Sequence, residues 1–198
     1  SECTVAEIKE SLLVGSDVVA ANASMYNVTV NVALYTAETK DSTELTKTAI
    51  DPVVLTLAEN ATPADIEAAI AASNVEADAK AAWGAKYVAE GYERTATQVT
   101  ANLTKDIEYV IEYKPVDCTV TYGMGYTNVA PITVPYGYDM TLPVNTEEGK
   151  AYDYTIEEVI YAQGSVYEVK GDITVNRAAG KAYNTTDLYS IIANNFAA

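Results

Sequence analysis

Tyr26-Asn27-Val28-Thr29-Val30-Asn31-Val32-Ala33-Leu34 decides the fold class. Its period is two: Val28, Val30, Val32 and Leu34 alternate with Asn27, Thr29, Asn31 and Ala33, as a strand with one dry face requires. Working outward, Val53 to Leu57 is a second apolar stretch. It leads into Thr62-Pro63-Ala64-Asp65, where Thr can cap, Pro fits the first helical turn and Asp complements the dipole. The helix so begun runs through Ile66 and Ile70. Toward the N-terminus, Thr4-x-x-Glu7 is a capping-box pattern, with Val5, Ile8, Leu12 and Leu13 at helical spacing until Gly15.

Ala85 to Thr100 and Ile107 to Tyr113 read as strands separated by the polar Asn102 to Asp106 connection. Lys114-Pro115 is the preferred domain boundary, because Pro cannot continue a central strand and holds its predecessor extended. Further strands are expected near Cys118 to Tyr122, Ile132 to Leu142, Tyr152 to Val159, Ser165 to Val169 and Ile173 to Asn176. They are punctuated by Gly123, Gly125, Gly137, Gly149, Gly164 and Gly171. A capped helical pattern, Asn184 to Asp187 followed by Leu188, Ile191, Ile192 and Phe196, closes the chain. The expectation is a mainly β fold with short helices (α+β), built as two small β-sandwich or β-grasp-like modules in tandem. Residues 1–25 form an N-terminal helical segment, 26–114 a first β-rich module with one helix, and 115–198 a second with the C-terminal helix. Val99-x-x-x-Leu103-Thr104-Lys105-Asp106-Ile107-x-Tyr109 resembles Val166-x-x-Val169-Lys170-Gly171-Asp172-Ile173-x-Val175 with one residue of slippage, as either a short internal repeat or a chance similarity between two hairpins.

Composition narrows the function. With 28 acidic against 12 basic residues the net charge is −16. That excludes nucleic acid as an expected partner, because displacing counterions from a polyanion needs clustered Lys and Arg. The chain has no histidine, which removes the commonest general base and metal ligand. Cys3 and Cys118 are too few for a zinc site and read as a long-range disulfide, or else as two buried thiols. No apolar run approaches the ~20 residues of a membrane-spanning helix, so no membrane insertion is expected. The Ser1-Glu2-Cys3 start has no signal-peptide pattern and reads as processed. Sixteen tyrosines against one phenylalanine suit sheets whose outer faces meet water.

At Cys118 to Tyr122, Val134-Pro-Tyr-Gly137, Leu142-Pro143, Gly149 to Tyr154 and Gly171 to Val175, the second half resembles the repeat modules of Gram-positive bacterial surface proteins. Those are β-grasp or Ig-like units. The resemblance spans about residues 116–183 and implies architecture and an extracellular, cell-surface or wall-associated location, with no active site carried over. The mid-chain Leu142-Pro143-Val144-Asn145-Thr146 departs from a sortase signal at its last two places and has no apolar tail, so it reads as a strand leaving its sheet.

Candidate chemistry is sparse. An intramolecular Lys–Asn crosslink of the kind found in similar surface modules could pair Lys170 with Asn176 or Lys105 with Asn31, although solvated lysines are the plainer reading. A thioester from Cys118 with Gln98 or Gln163 is the weaker analogue. Calcium is the best cofactor candidate, since hard oxygen ligands abound, but Glu147-Glu148, Glu157-Glu158 and Asp51 show no ligand spacing. Asp153 and Glu157 could form a glycosidase pair only if a cleft fixed their separation. Aromatic groups remain. Trp83, Tyr87 and Tyr92 are one; Tyr122, Tyr126, Tyr136 and Tyr138 are a denser one and the candidate binding residues, against a background of ordinary cross-strand packing. The Asn-x-Ser/Thr sites at Asn22, Asn27, Asn60, Asn102 and Asn184 follow from a Thr-rich composition. The expected role is a non-enzymatic surface module acting in adhesion or as a stalk, with a protein or glycan ligand. The rivals are a self-assembling subunit of a filament or surface layer, whose partners are copies of itself, and a carbohydrate-active enzyme.

Overall fold

The structure, a computed structural model, describes residues 24–181. Cys3, the helix expected after Thr4 and the helix expected around Leu188 to Phe196 lie outside the described residues. Packing divides the chain into two units. Unit 1 holds the described residues through Leu34 together with Lys47–Tyr87 and Arg94–Tyr113. Unit 2 holds Tyr35–Thr46, Val88–Glu93 and the described residues from Lys114 onward. The architecture is mainly β with short helices.

The first sheet is built from β1 (Met25–Ala37), β2 (Leu45–Ala49), β3 (Val53–Ala58), β4 (Tyr92–Ala96) and β5 (Ile107–Pro115). Its order is β2-β1-β5-β4, with β3 also on β1. β3 runs antiparallel to β1, from Met25 opposite Ala58 to Val30 opposite Val53. β5 runs parallel to β1, from Val28 opposite Ile107 to Leu34 opposite Tyr113. The period-two pattern turns Val28, Val30, Val32 and Leu34 inward with Tyr109, Ile111 and Tyr113 of β5. A parallel pair needs a long crossover, and two helices, α1 (Pro63–Ala72) and α2 (Val75–Trp83), supply it. They bury Ile66, Ile70, Val75, Ala79 and Trp83. At roughly 1.5–3 kcal/mol for each large apolar side chain, this burial outweighs any single polar contact in the unit.

α1 starts where the sequence places it, and Asp65 does more there than complement the dipole. Thr62 and Asp65 form a reciprocal capping box, in which Asp65 N–H donates to Thr62 Oγ1 (3.3 Å) and Thr62 N–H to Asp65 Oδ2 (2.8 Å). α2 and β2 were not expected. The strand expected over Ala85 to Thr100 is only β4: Gly84–Lys86 is a 3₁₀ turn, and Gly91 takes a left-handed conformation.

The second sheet comprises β6 (Asp117–Tyr122), β7 (Ile132–Pro135), β9 (Lys150–Ile156), β10 (Val159–Ala162) and β12 (Ile173–Lys181), in the order β10-β9-β12-β6-β7. β8 (Tyr138–Thr141) and β11 (Val166–Val169) form a separate antiparallel pair. The single strand expected over Ile132 to Leu142 is therefore two, broken at Tyr136-Gly137, where Gly137 has φ +84°. The core gathers Cys118, Val120, Val134, Met140, Leu142, Tyr154, Ile156, Val169, Ile173 and Val175. Again the first and last strands pair in parallel, Val120 with Ile173 through Tyr122 with Val175.

The Asp-Ile dipeptides stand at equivalent places in these two pairings. Asn27 N–H donates to Asp106 Oδ1 (2.8 Å), one residue before Val28 meets Ile107. Thr119 N–H donates to Asp172 Oδ1 (2.7 Å), one residue before Val120 meets Ile173. In each, a carboxylate caps an N–H of the first strand just ahead of the ladder.

β9 and β10 are joined by the two residues Glu157 and Glu158, at φ +50° and +65°. Two positive φ values define a turn that matches the sheet's twist and favours Asn-Gly, so two glutamates here are strained. Glu157 has compensation, since its carboxylate accepts the Tyr167 hydroxyl at 3.1 Å. Glu158→Gly is expected to stabilise unit 2 by about 0.5–1 kcal/mol, after allowance for the extra freedom of Gly in the unfolded chain. A urea titration followed by circular dichroism measures this; an unchanged or lower midpoint would show that the turn is unstrained.

Candidate functional site

Tyr122 ends β6, and the chain then folds back on β12 through Gly123-Met124-Gly125. Gly123 N–H donates to Val175 O (2.9 Å), Met124 N–H to Asn176 Oδ1 (2.7 Å) and Arg177 N–H to Met124 O (2.8 Å). Gly125 is required by close approach, and Gly123 is tightly placed. A Cβ at Gly125, whose φ is +82°, would lie 1.8 Å from the Arg177 carbonyl oxygen; one at Gly123 would lie 2.3 Å from Asn176 Oδ1. The Met124 side chain is nonetheless 77% exposed, held out on a backbone bonded on both sides.

This turn delivers Tyr126 to Tyr122, ring centroids 5.0 Å apart, and to Arg177. The guanidinium lies 4.3 Å from the ring centroids of both Tyr126 and Tyr152, and Nη2 donates to Gly125 O at 2.9 Å. Each such cation–π contact contributes about 0.5–1 kcal/mol at a partly exposed site. Burial pushes the Tyr126 phenol up to about 12, with Tyr154 adding to the rise and Arg177 opposing it. Burial also raises Tyr122, helped by Tyr138, and Tyr154, whose hydroxyl donates to Pro143 O at 2.7 Å. The site therefore offers neutral aromatic faces, phenolic hydroxyls and one cation. It is suited to stacking and hydrogen bonding.

Of the four tyrosines singled out in the sequence, Tyr122 and Tyr126 are brought together and Tyr138 is beside Tyr122. Tyr136 is elsewhere. Its ring lies against Gly91, where a Cβ would come within 2.2 Å of it, so its work is packing. Tyr152 and Arg177 were missed. They are brought in by the β9–β12 register, in which Tyr154 faces Arg177, and local sequence carries no sign of that register.

Unit 1 holds a second constellation. Arg94 donates to both carboxylate oxygens of Glu76 (2.8 Å each), and the Tyr113 hydroxyl donates to the same carboxylate. Lys80 Nζ lies 4.7 Å from the Tyr113 ring centroid and 5.4 Å from that of Tyr87. Trp83 packs on both rings, at 5.8 and 6.3 Å, so two members of the expected Trp83, Tyr87 and Tyr92 group come together, with Tyr113 as the third ring. The Trp83 indole N–H is buried without a hydrogen-bond acceptor among the described residues. Arg94 holds the Glu76 carboxyl below its ordinary range, and the hydrogen bond with Tyr113 raises Lys80. Acid and base are thus each locked further into the charged form, the reverse of a pair tuned for proton transfer near neutrality.

The remaining candidates are dispersed. A cavity of about 300 Å³ lies between α1 and residues 97–105, lined by Ile66, Leu103, Gln98, Asn102, Lys105 and Glu108 among others. Among the described residues no group of three or more Cys, Asp or Glu is placed to hold a metal ion, so calcium finds no ligand set there. Lys170 pairs with Glu168 at 2.7 Å, and the Asn176 carbonyl oxygen is committed to Met124. Cys118 is buried, its Sγ 3.8 Å from Val116 O, while its expected partner lies outside the described residues. No described helix is long and apolar enough to cross a membrane. No known protein family matches the chain, and no curated protein is detectably similar to it.

Two measurements check these assignments. Gly125→Ala is expected to cost unit 2 at least about 2 kcal/mol, because both φ and the Arg177 carbonyl oppose a Cβ; wild-type stability of that variant would refute the packed turn. Glu76 is depressed in the folded state relative to its ordinary 4.5, so its stabilisation is complete above that value and is lost as pH falls through the folded value. Trp83 is the only tryptophan and reports unit 1 alone. Its acid unfolding midpoint should shift, and the dependence below about pH 4.5 should flatten, in Glu76→Gln.

Proposed function

We propose that this chain is a non-enzymatic extracellular module of a bacterial cell surface, serving as a stalk or in adhesion. Its two units are β-sandwich or β-grasp-like modules in tandem. The observation that carries the proposal is the repetition of one plan, a parallel pair made from a unit's first and last strands and capped by an Asp carboxylate. In such a plan the chain enters at one end of the pair and leaves at the other, which suits modules strung along an extended polypeptide. A single residue, Val116, separates β5 from β6. The resemblance of residues 116–183 to Gram-positive surface repeats points the same way, as does the net charge of −16, which favours solubility over nucleic-acid binding.

For adhesion, the face to examine is Tyr122, Tyr126 and Tyr152 around Arg177, with Met124 beside it. Aromatic rings and a stacked guanidinium suit a glycan or a protein surface. The self-assembly alternative draws on one observation: the edge strand β10 leaves Val159 52% and Ile160 73% exposed, and an apolar edge is a template for another chain.

Antibodies raised against the purified protein should label intact, unpermeabilised cells of the source organism, and brief surface proteolysis should remove the signal. Labelling only after permeabilisation would overturn the surface reading. Light scattering on the purified chain separates the two roles, a constant monomer mass supporting a stalk or adhesin and concentration-dependent growth supporting the assembling subunit.

A further inference from the structure

We infer that the parallel strand pair in each unit is a shear clamp that resists tension along the chain, with Asp106, Asp172 and Asn176 as side-chain latches within it. The inference deepens the stalk reading and rests on it for its biological sense; its test does not.

Because β1 and β5 are parallel, tension applied at the two ends of unit 1 pulls β1 by its Met25 end and β5 by its Pro115 end. The strands must then slide past each other, so every bond of the ladder from Val28–Ile107 to Leu34–Tyr113 is loaded at once. An antiparallel pair pulled from neighbouring ends is loaded one bond at a time. β1 and β3 supply that contrast in the same unit, since Glu59 N–H donates to Ser24 O at 2.7 Å, just outside the Met25–Ala58 pair.

Unit 2 has the same polarity and a shorter register, Val120–Ile173 to Tyr122–Val175. Side chains lengthen it at both ends. Asp172 accepts from Thr119 N–H at the entry, and Asn176 accepts from Met124 N–H beyond the exit, where Gly123 and Arg177 add backbone bonds. In unit 1, Asp106 accepts from Asn27 N–H at the entry. Each of these side-chain bonds joins the two strands that tension would slide apart.

The test is single-molecule stretching of the full chain held at its two ends. Cys3→Ser is introduced so that no disulfide can carry tension around unit 1. Two events are expected, releasing about 300 Å for the stretch from Met25 to Pro115 and about 200 Å for that from Asp117 to Lys181, lengths that identify each clamp. Unit 2, with the shorter ladder, should yield at the lower force. With handles moved to cysteines at Ser24 and Glu59, in a background also lacking Cys118, β3 should peel from β1 at half the end-to-end force of unit 1 or less, roughly, since forced rupture follows the barrier along the direction pulled. Asp106→Ala should lower the end-to-end force of unit 1 and leave the peeling force unchanged, while Asp106→Asn, which keeps an acceptor oxygen, should restore it. Equal forces in the two geometries, or an Asp106→Ala loss of the same size in both, would overturn the clamp. Neither result would bear on surface location, which cell labelling decides by itself.

Discussion

Everything in the described structure hangs on a pairing between segments distant in sequence: in each unit the first strand lies in parallel beside the last. Parallel neighbours cannot be joined by a tight turn, so the intervening chain must leave the sheet and return. In unit 1 that detour is α1 and α2, which seal the buried face of β1 and β5 with Ile66, Ile70, Val75 and Trp83. In unit 2 the separate β8–β11 pair supplies Met140 and Val169 to the core. One constraint is met by different covers.

The same pairing explains where polar chemistry gathers. Tyr109 and Tyr113 point inward from β5 and are too large and too polar at their tips to end in hydrocarbon. Their hydroxyls therefore meet carboxylates on the helices, Glu67 at 2.5 Å and Glu76 respectively. Glu76 then draws in Arg94, which donates to both of its carboxylate oxygens. Around β12 the sequence of causes differs. Gly123 and Gly125 let the chain after β6 lie directly on β12, and the close approach sets Tyr126 against Arg177. The first network closes on itself. The second leaves Met124 toward solvent beside half-buried rings and Arg177, and for that reason it is the better candidate for contact with a partner.

Local signals in the sequence were sufficient wherever one residue pattern meets one physical requirement. The alternation from Val28 to Leu34 and the capping sequence Thr62 to Asp65 each became the element expected. Failures came where the deciding contact lies far along the chain. Ile132 to Leu142 looks like one strand, but its two halves pair with different partners, β6 and β11, and the chain must turn at Gly137. Ala85 to Thr100 has strand-like composition, yet Gly91 is held beneath Tyr136 and only Tyr92–Ala96 forms a strand.

The sequence alone determined the β-rich class, because alternation and turn chemistry act over a few residues and survive in any context. It also determined the absence of histidine chemistry, the strongly negative charge and two of the three tyrosines at the Arg177 site. Tertiary structure alone decided that the first and last strands pair in parallel, that Asp106 and Asp172 hold equivalent places, and that Tyr152 and Arg177 meet Tyr126. Each depends on register between strands many residues apart. Register is set by how two buried faces fit, a property of the assembled core that no single segment carries.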